Sequence, residues 1–157
     1  MRMNVLVESS AEVELSATGE VTVRTDMTDI GTGTYTILTQ IAADTLNTSV
    51  DNVTVKLGDS RYPASCGSGG SFGAASSGSA VKKACEALIA NIKSSLPPAL
   101  SQAEVQILDG QIKLVSITQG DDDEVSSPVL LANFMSDSDF PISATGNVSE
   151  DDTSDDE

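Results

Sequence analysis

Two glycine-rich stretches, each running straight into a helical pattern, constrain this chain more than any other feature. The first is Asp29-Ile30-Gly31-Thr32-Gly33-Thr34, preceded by the β-rich run Val21-Thr22-Val23-Arg24-Thr25. The second is Cys66-Gly67-Ser68-Gly69-Gly70-Ser71-Phe72-Gly73. Glycine at such a junction permits positive φ in a tight turn, or lets backbone approach a ligand closely. Helix N-termini also present unpaired N–H groups and partial positive charge, so both junctions are candidate anion sites. Taken singly, each loop reads first as a turn. Taken together, they could grip one phosphorylated guest from two sides.

The periodicities between these loops set the fold. Glu12 to Ser16 alternates as a strand, Ala17-Thr18-Gly19-Glu20 is a turn, and Val21 to Arg24 returns as a second strand, making a hairpin. After the first loop, Ile37, Leu38, Ile41, Ala42 and Leu46 form a helical apolar face, with Thr32 or Thr34 available as its cap. Val53 to Leu57 is a third strand. After the second loop, Val81, Ala84, Cys85, Leu88, Ile89 and Ile92 make a helical stripe, and Pro97-Pro98 stops the helix. The small residues from Ala74 to Ala80 suit a helix start held tightly against a sheet or a ligand. Val105 to Leu108 and Ile112 to Val115 form a last hairpin around Asp109-Gly110. The order is β-β-α-β-α-β-β, an α+β fold with two helices packed on one face of a small mixed sheet. Residues 1–118 form the lobe and 119–142 a weakly structured extension, in which Leu130, Leu131, Phe134 and Met135 predict one short helix. Residues 143–157 read as an acidic disordered tail.

Charge and residue types exclude several functions. Residues 1–120 hold 12 acidic and all 8 basic residues, net −4, whereas 121–157 hold 12 acidic residues and no base, net −12. Such a surface disfavours nucleic acid. With 0 His, imidazole catalysis and a Ser-His-Asp hydrolase are excluded within the chain. Its 2 cysteines, Cys66 and Cys85, match no zinc motif or disulfide framework. Cys85 lies on the helical stripe and is expected in the core, and Cys66 is expected as a small semi-buried thiol. Neither loop has the Gly-Lys-Ser/Thr ending of a P-loop. The dinucleotide fingerprint also fails, because Phe72 stands where its third glycine belongs. Asp26 and Asp29 beside the first loop are expected to cap or orient its turn. Asp121-Asp122-Asp123-Glu124 lacks the spacing of a calcium loop and reads as solvated charge. No stretch approaches the roughly 20 apolar residues of a membrane span, and the start does not read as a signal peptide. A cytoplasmic location is expected, with a periplasmic one open if the chain is exported with a partner.

The two loops in this order resemble the molybdopterin-binding region of molybdenum hydroxylase large subunits, the xanthine dehydrogenase and aldehyde oxidoreductase family. Asp26 to Ala43 carries the first part of the likeness. Val55-Lys56-Leu57-Gly58-Asp59-Ser60, Gly67 to Phe72 and Gly78 to Cys85 continue it, over roughly residues 10–115. The resemblance implies a molybdenum ion held by a pterin dithiolene, hydroxylation of aldehydes or N-heterocycles, and electron exit through FAD and iron–sulfur clusters on other subunits. It assigns cofactor binding to Gly31, Thr32, Gly33 and Thr34 in the first loop. In the second it assigns Gly69, Gly70, Ser71, Phe72 and Gly73, with the amides of Gly70 and Ser71 as donors. Many members have Gly-Gln-Gly where this chain has Gly31-Thr32-Gly33. The family's catalytic Gly-x-Gly-Glu motif is absent, so no catalytic residue and no metal ligand is assigned. The segment after Gly120 matches nothing in that resemblance. The expected role is a partial molybdopterin-binding lobe, inactive alone, completed by the remaining large-subunit segments. A non-catalytic cofactor-binding or subunit-docking module and a ligand-free structural remnant stay open. An isolated lobe would expose apolar surface, which predicts a partner or self-association.

Overall fold

A computed structural model describes residues 6–100, 103–108, 111–115, 129–131, 135–136, 139–149 and 152. Strand β1 (Ser9–Leu15) and β2 (Val21–Thr25) form the expected antiparallel hairpin, with Val13 opposite Val23. Gly19 takes φ 79° in its turn. Helix α1 (Thr34–Thr45) then crosses to β3 (Val53–Leu57), which lies parallel to β2. Helix α2 (Gly73–Ser94) follows, then β4 (Glu104–Leu108), β5 (Gln111–Val115), β6 (Val129–Leu130) and β7 (Ile142–Val148).

The α+β class and the first seven elements are as expected. The strands divide into two sheets, however, not one. One is mixed, in the order β3-β2-β1-β7, and the other is β4-β5-β6. Both helices pack against the mixed sheet, α2 on β1 and β7 and α1 on β3. Alternation explains the layering. Ala11, Val13 and Leu15 of β1 and Val21 and Val23 of β2 are buried, while Glu12, Glu14 and Arg24 between them are partly exposed on the opposite face. There Arg24 donates to Glu14 at 3.0 and 3.1 Å and to Glu12 at 3.5 Å. Leu38, Leu46, Leu88 and Ile92 from the helices complete a core that continues into Ile107, Leu114 and Leu131 of the second layer. A buried aliphatic side chain of this size contributes roughly 1.5–3 kcal/mol.

Three expectations are corrected. Residues 143–149 are not a disordered tail, because β7 pairs with β1 along its whole length, from Ser9 opposite Val148 to Leu15 opposite Ile142. Gly146 is the reason this strand escapes a hydrophobicity pattern. It packs backbone to backbone against Ala80 and Ala84 of α2, where any Cβ would overlap main-chain atoms. Leu130 belongs to a strand opposite Lys113 rather than to a helix. The Met135 amide nevertheless donates to the Leu131 carbonyl at 3.1 Å, one helical-type bond. Phe134 lies outside the described residues, as do the Asp109-Gly110 turn, Asp121 to Glu124, and residues 150–157 apart from Asp152. Finally, α1 has no side-chain cap: Gly33, with φ 77°, is the N-cap, and Thr34 opens the helix.

Candidate functional site

The two glycine loops meet. Asp26 receives the Ser65 amide at 2.5 Å, and its own amide donates to the Pro63 carbonyl at 2.9 Å. These bonds lay the segment leading to the second loop beside the end of β2. Farther along, the Ser68 hydroxyl donates to the Thr28 carbonyl, joining the loops directly. Met27, 2% exposed, fills the space beneath them, with Ser77 Oγ 3.5 Å from its sulfur. Helix α2 begins against this side chain. A Cβ at Gly73 would stand 2.6 Å from Met27 Cε, so any larger residue there requires the tip of Met27 to move.

Between the loops is a cavity of about 410 Å³. Thr32 and Thr34 of the first loop and Gly69, Gly70, Ser71 and Gly73 of the second line it. Of the residues assigned from sequence, Gly31, Gly33 and Phe72 do not. The glycines set the backbone, with φ 89° at Gly31 and 77° at Gly33. The Phe72 ring instead lies against its own loop: a Cβ at Gly70 would be 2.8 Å from that ring. Sequence reasoning missed Met27, Ile30, Ile37, Leu38, Ser68 and Ala74 as lining residues. Ile37 and Leu38 were legible as a helical apolar face, but nothing in their spacing marks the edge of that face as a cavity wall.

The loops differ in their electrostatics. In the first, Asp29 Oδ1 accepts from the Gly31 amide at 2.8 Å and the Thr32 amide at 3.0 Å. The Gly31 amide is the largest cause holding the Asp29 carboxyl below its ordinary value, and the Tyr35, Thr32 and Gly33 amides add to it against a desolvation that raises it. The expectation that Asp29 orients the turn therefore holds, but two of the first loop's amides are not bare. In the second loop, Gly70 and Ser71 take φ 50° and 63°. Their amides have no partner among the described residues; the loop closes through the Phe72 amide, 3.2 Å from the Gly69 carbonyl. The first intrahelical bond of α2 runs from Ser76 to Phe72 at 2.8 Å. The amides of Gly73, Ala74 and Ala75 are thus first-turn donors. None of the described lining residues is Lys or Arg.

Behind the cavity the small residues face protein. Ser76 Oγ accepts from the Val7 amide at 2.9 Å, Ser77 Oγ lies 3.1 Å from Ser9 Oγ, and Gly78 lets Ile41 approach α2. Cys85 is fully buried, as expected, and burial pushes its thiol up to about 12. Cys66 is a free, partly buried thiol whose Sγ lies 3.6 Å from Ser77 Oγ. Among the described residues no cluster of acids and cysteines is arranged to hold a metal ion. No described helix is long and apolar enough to cross a membrane. Ile30, Tyr35 and Val50 are exposed, at 68%, 48% and 49%.

A family model described as molybdopterin cofactor-binding domain matches residues 2–156. This extends the likeness well past residue 115 and over β6 and β7, where the sequence resemblance found nothing. The aldehyde oxidoreductase molybdenum-binding subunit PaoC of Escherichia coli K12 is 49% identical over 111 residues, covering 71% of this chain and 15% of that subunit. The chain therefore spans a small part of the length of the relatives it matches. Among solved structures, quinoline 2-oxidoreductase from Pseudomonas putida 86 superposes with a TM-score of 0.68 at 24% identity, over 90% of this chain and 19% of that one. A carbon monoxide dehydrogenase from Oligotropha carboxidovorans gives 0.67 at 19% identity, over 92% of this chain and 18% of that one. These two likenesses establish the fold.

Proposed function

The chain belongs to the molybdopterin cofactor-binding domain family, and from that membership we propose that its two glycine loops form part of the wall holding the cofactor of an aldehyde oxidoreductase-type enzyme. The observation that carries this reading is a cavity shared by both loops, lined by Thr32 and Thr34 from one side and by Gly69, Gly70, Ser71 and Gly73 from the other. Its volume lies within the range of small-molecule sites. A flat heterocycle with an anionic phosphate suits such a lining. Met27, Ile30, Ile37 and Leu38 give an apolar wall. The amides of Gly70 and Ser71, without a partner among the described residues, give donors for negative charge. The hydroxyls of Thr32, Thr34, Ser68 and Ser71 give directional bonds to ring heteroatoms.

When bound, the cofactor supplies the redox chemistry, and the protein supplies binding and orientation. Gly31 and Gly33 hold the first loop in its left-handed turn, and Met27 sets the floor on which α2 begins. None of the described residues that line the cavity is a carboxylate or another base. The remaining large-subunit segments complete the site, and subunits with FAD and iron–sulfur clusters take the electrons. Exposed Ile30 and Tyr35, beside the first loop, belong to the surface those segments cover.

The test is cofactor content. Co-expressed with the rest of the large subunit, the chain is expected to copurify with pterin and molybdenum, measured by pterin fluorescence after oxidation and by elemental mass spectrometry. The chain alone is expected to show no aldehyde turnover with an artificial electron acceptor. An assembled complex free of pterin, in cells that make the cofactor, would sink the proposal.

A further inference from the structure

The floor of the cavity is a side chain fixed at its middle and free at its tip. Met27 lines the cavity and is 2% exposed. Its sulfur accepts from two hydroxyls, Ser77 Oγ at 3.5 Å and Ser65 Oγ at 3.8 Å. Ser77 is on α2, and Ser65 is on the segment leading to the second loop. Beyond the sulfur only the methyl group remains, and rotation about the Cγ–Sδ bond moves it while the sulfur stays in place. That methyl lies 2.6 Å from where a Cβ at Gly73 would be. Gly73 is the first residue of α2 and is not among the residues with a left-handed backbone. What glycine supplies there is room for the Met27 methyl. Gly73 lines the same cavity, which is the open space the two residues share. We infer that Met27 is a positioning residue whose methyl group sets the depth of the cavity. Seated against Gly73, the methyl leaves the cavity open; turned away from Gly73, it enters it. The consequence for the cofactor rests on the cavity being the cofactor site. A flat guest is sensitive to so small an obstruction, because one methylene in an apolar pocket changes affinity by about tenfold or more.

The test moves one methyl group across this contact. Gly73→Ala adds a methyl at Gly73, and Met27→Leu removes the atom at the Cε position, since leucine ends one atom short of it. The double variant nearly conserves apolar volume. Alanine is favourable in a helix, and in Met27→Leu the Ser77 hydroxyl keeps Ser9 Oγ at 3.1 Å. All variants are therefore expected to unfold near the parent's denaturant midpoint. The full chain has 4 methionines, so the Met27 methyl can be followed by carbon-13 methyl NMR. In Gly73→Ala its signal is expected to shift and to gain contacts with the methyl groups of Ile37 and Leu38, which also line the cavity. In the complex co-expressed with the rest of the large subunit, pterin retained per folded chain should fall about tenfold in Gly73→Ala. It should return to within about twofold of the parent in Gly73→Ala/Met27→Leu. A purely structural role gives no such rescue, because the two losses would add. If Gly73→Ala alone folds poorly, recovery of folding by Met27→Leu supports the same contact. An unmoved Met27 methyl signal in Gly73→Ala would overturn the inference, as would a double variant holding no more pterin than Gly73→Ala. A parent complex free of pterin would instead refute the cofactor reading, and the methyl signals would still decide whether Met27 forms an adjustable floor.

Discussion

The first and second glycine loops look alike as sequence, each a cluster of glycine and hydroxyl residues opening a helix, yet their backbones are held in different ways. The first closes on itself. Its glycines at 31 and 33 have open space where a Cβ would be, and they are needed only for their left-handed backbone. The second is closed by packing. At Gly73 the tip of Met27 occupies the place of a Cβ, and at Gly70 the Phe72 ring does so in addition to a left-handed backbone. In the first, the Gly31 and Thr32 amides are bonded to Asp29; in the second, the Gly70 and Ser71 amides have no partner among the described residues. Glycine content alone therefore says little about which loop binds. The loops differ in whether a side chain of the same loop already occupies the donors.

The difference can be broken by substitution. Gly73→Val is expected to have the largest effect: its side chain overlaps Met27 at the cavity floor. Overpacking of this kind costs about 1–3 kcal/mol, read from denaturant unfolding, and most of the bound pterin should be lost from the assembled complex. Gly31→Ala should cost about 1–2 kcal/mol through its positive φ, with pterin content per folded chain unchanged. Equal loss of pterin in the two variants would erase the distinction between the loops.

The smallest effect sharpens the comparison through pH. The Asp29 carboxyl is held below its ordinary value of 3.8. The stabilisation it gives the first loop is thus fully present above that value and is lost only as pH falls through the lower, folded-state one. The Gly31 and Thr32 amide signals should stay constant from neutral pH down to about the ordinary carboxylate value and move below it. A midpoint at or above that value would mean the carboxylate is not engaged as described.

Much of this was legible in the residues, and the exceptions share a cause. Alternation in Val21 to Thr25 and Val53 to Leu57, and the stripe from Val81 to Ile92, mark elements that bury large side chains against neighbours. The structure has them where the patterns predict. Strand β7 was hidden because it buries backbone instead: Ser143, Thr145, Gly146 and Asn147 carry no hydrophobic signal, and the acidic residues that follow suggest a solvated tail. Strand β6, at two residues, is too short for any period. At the site, the glycines and hydroxyls of both loops were readable. The wall formed by Met27, Ile30, Ile37 and Leu38 was not, since an apolar residue facing a cavity has the same spacing as one facing the core. The occupation of the first loop's amides was half visible: Asp29 two residues before Gly31 predicts a turn, but only the fold shows which donors that leaves.

The most direct measurement is a crystal structure of the assembled, cofactor-loaded enzyme containing this chain. The account predicts pterin density between Thr32 and Gly70, with its phosphate on the Gly70 and Ser71 amides and Asp29 still bonded to Gly31. Cofactor bound away from these two loops, or a phosphate seated on the Gly31 amide, would contradict it.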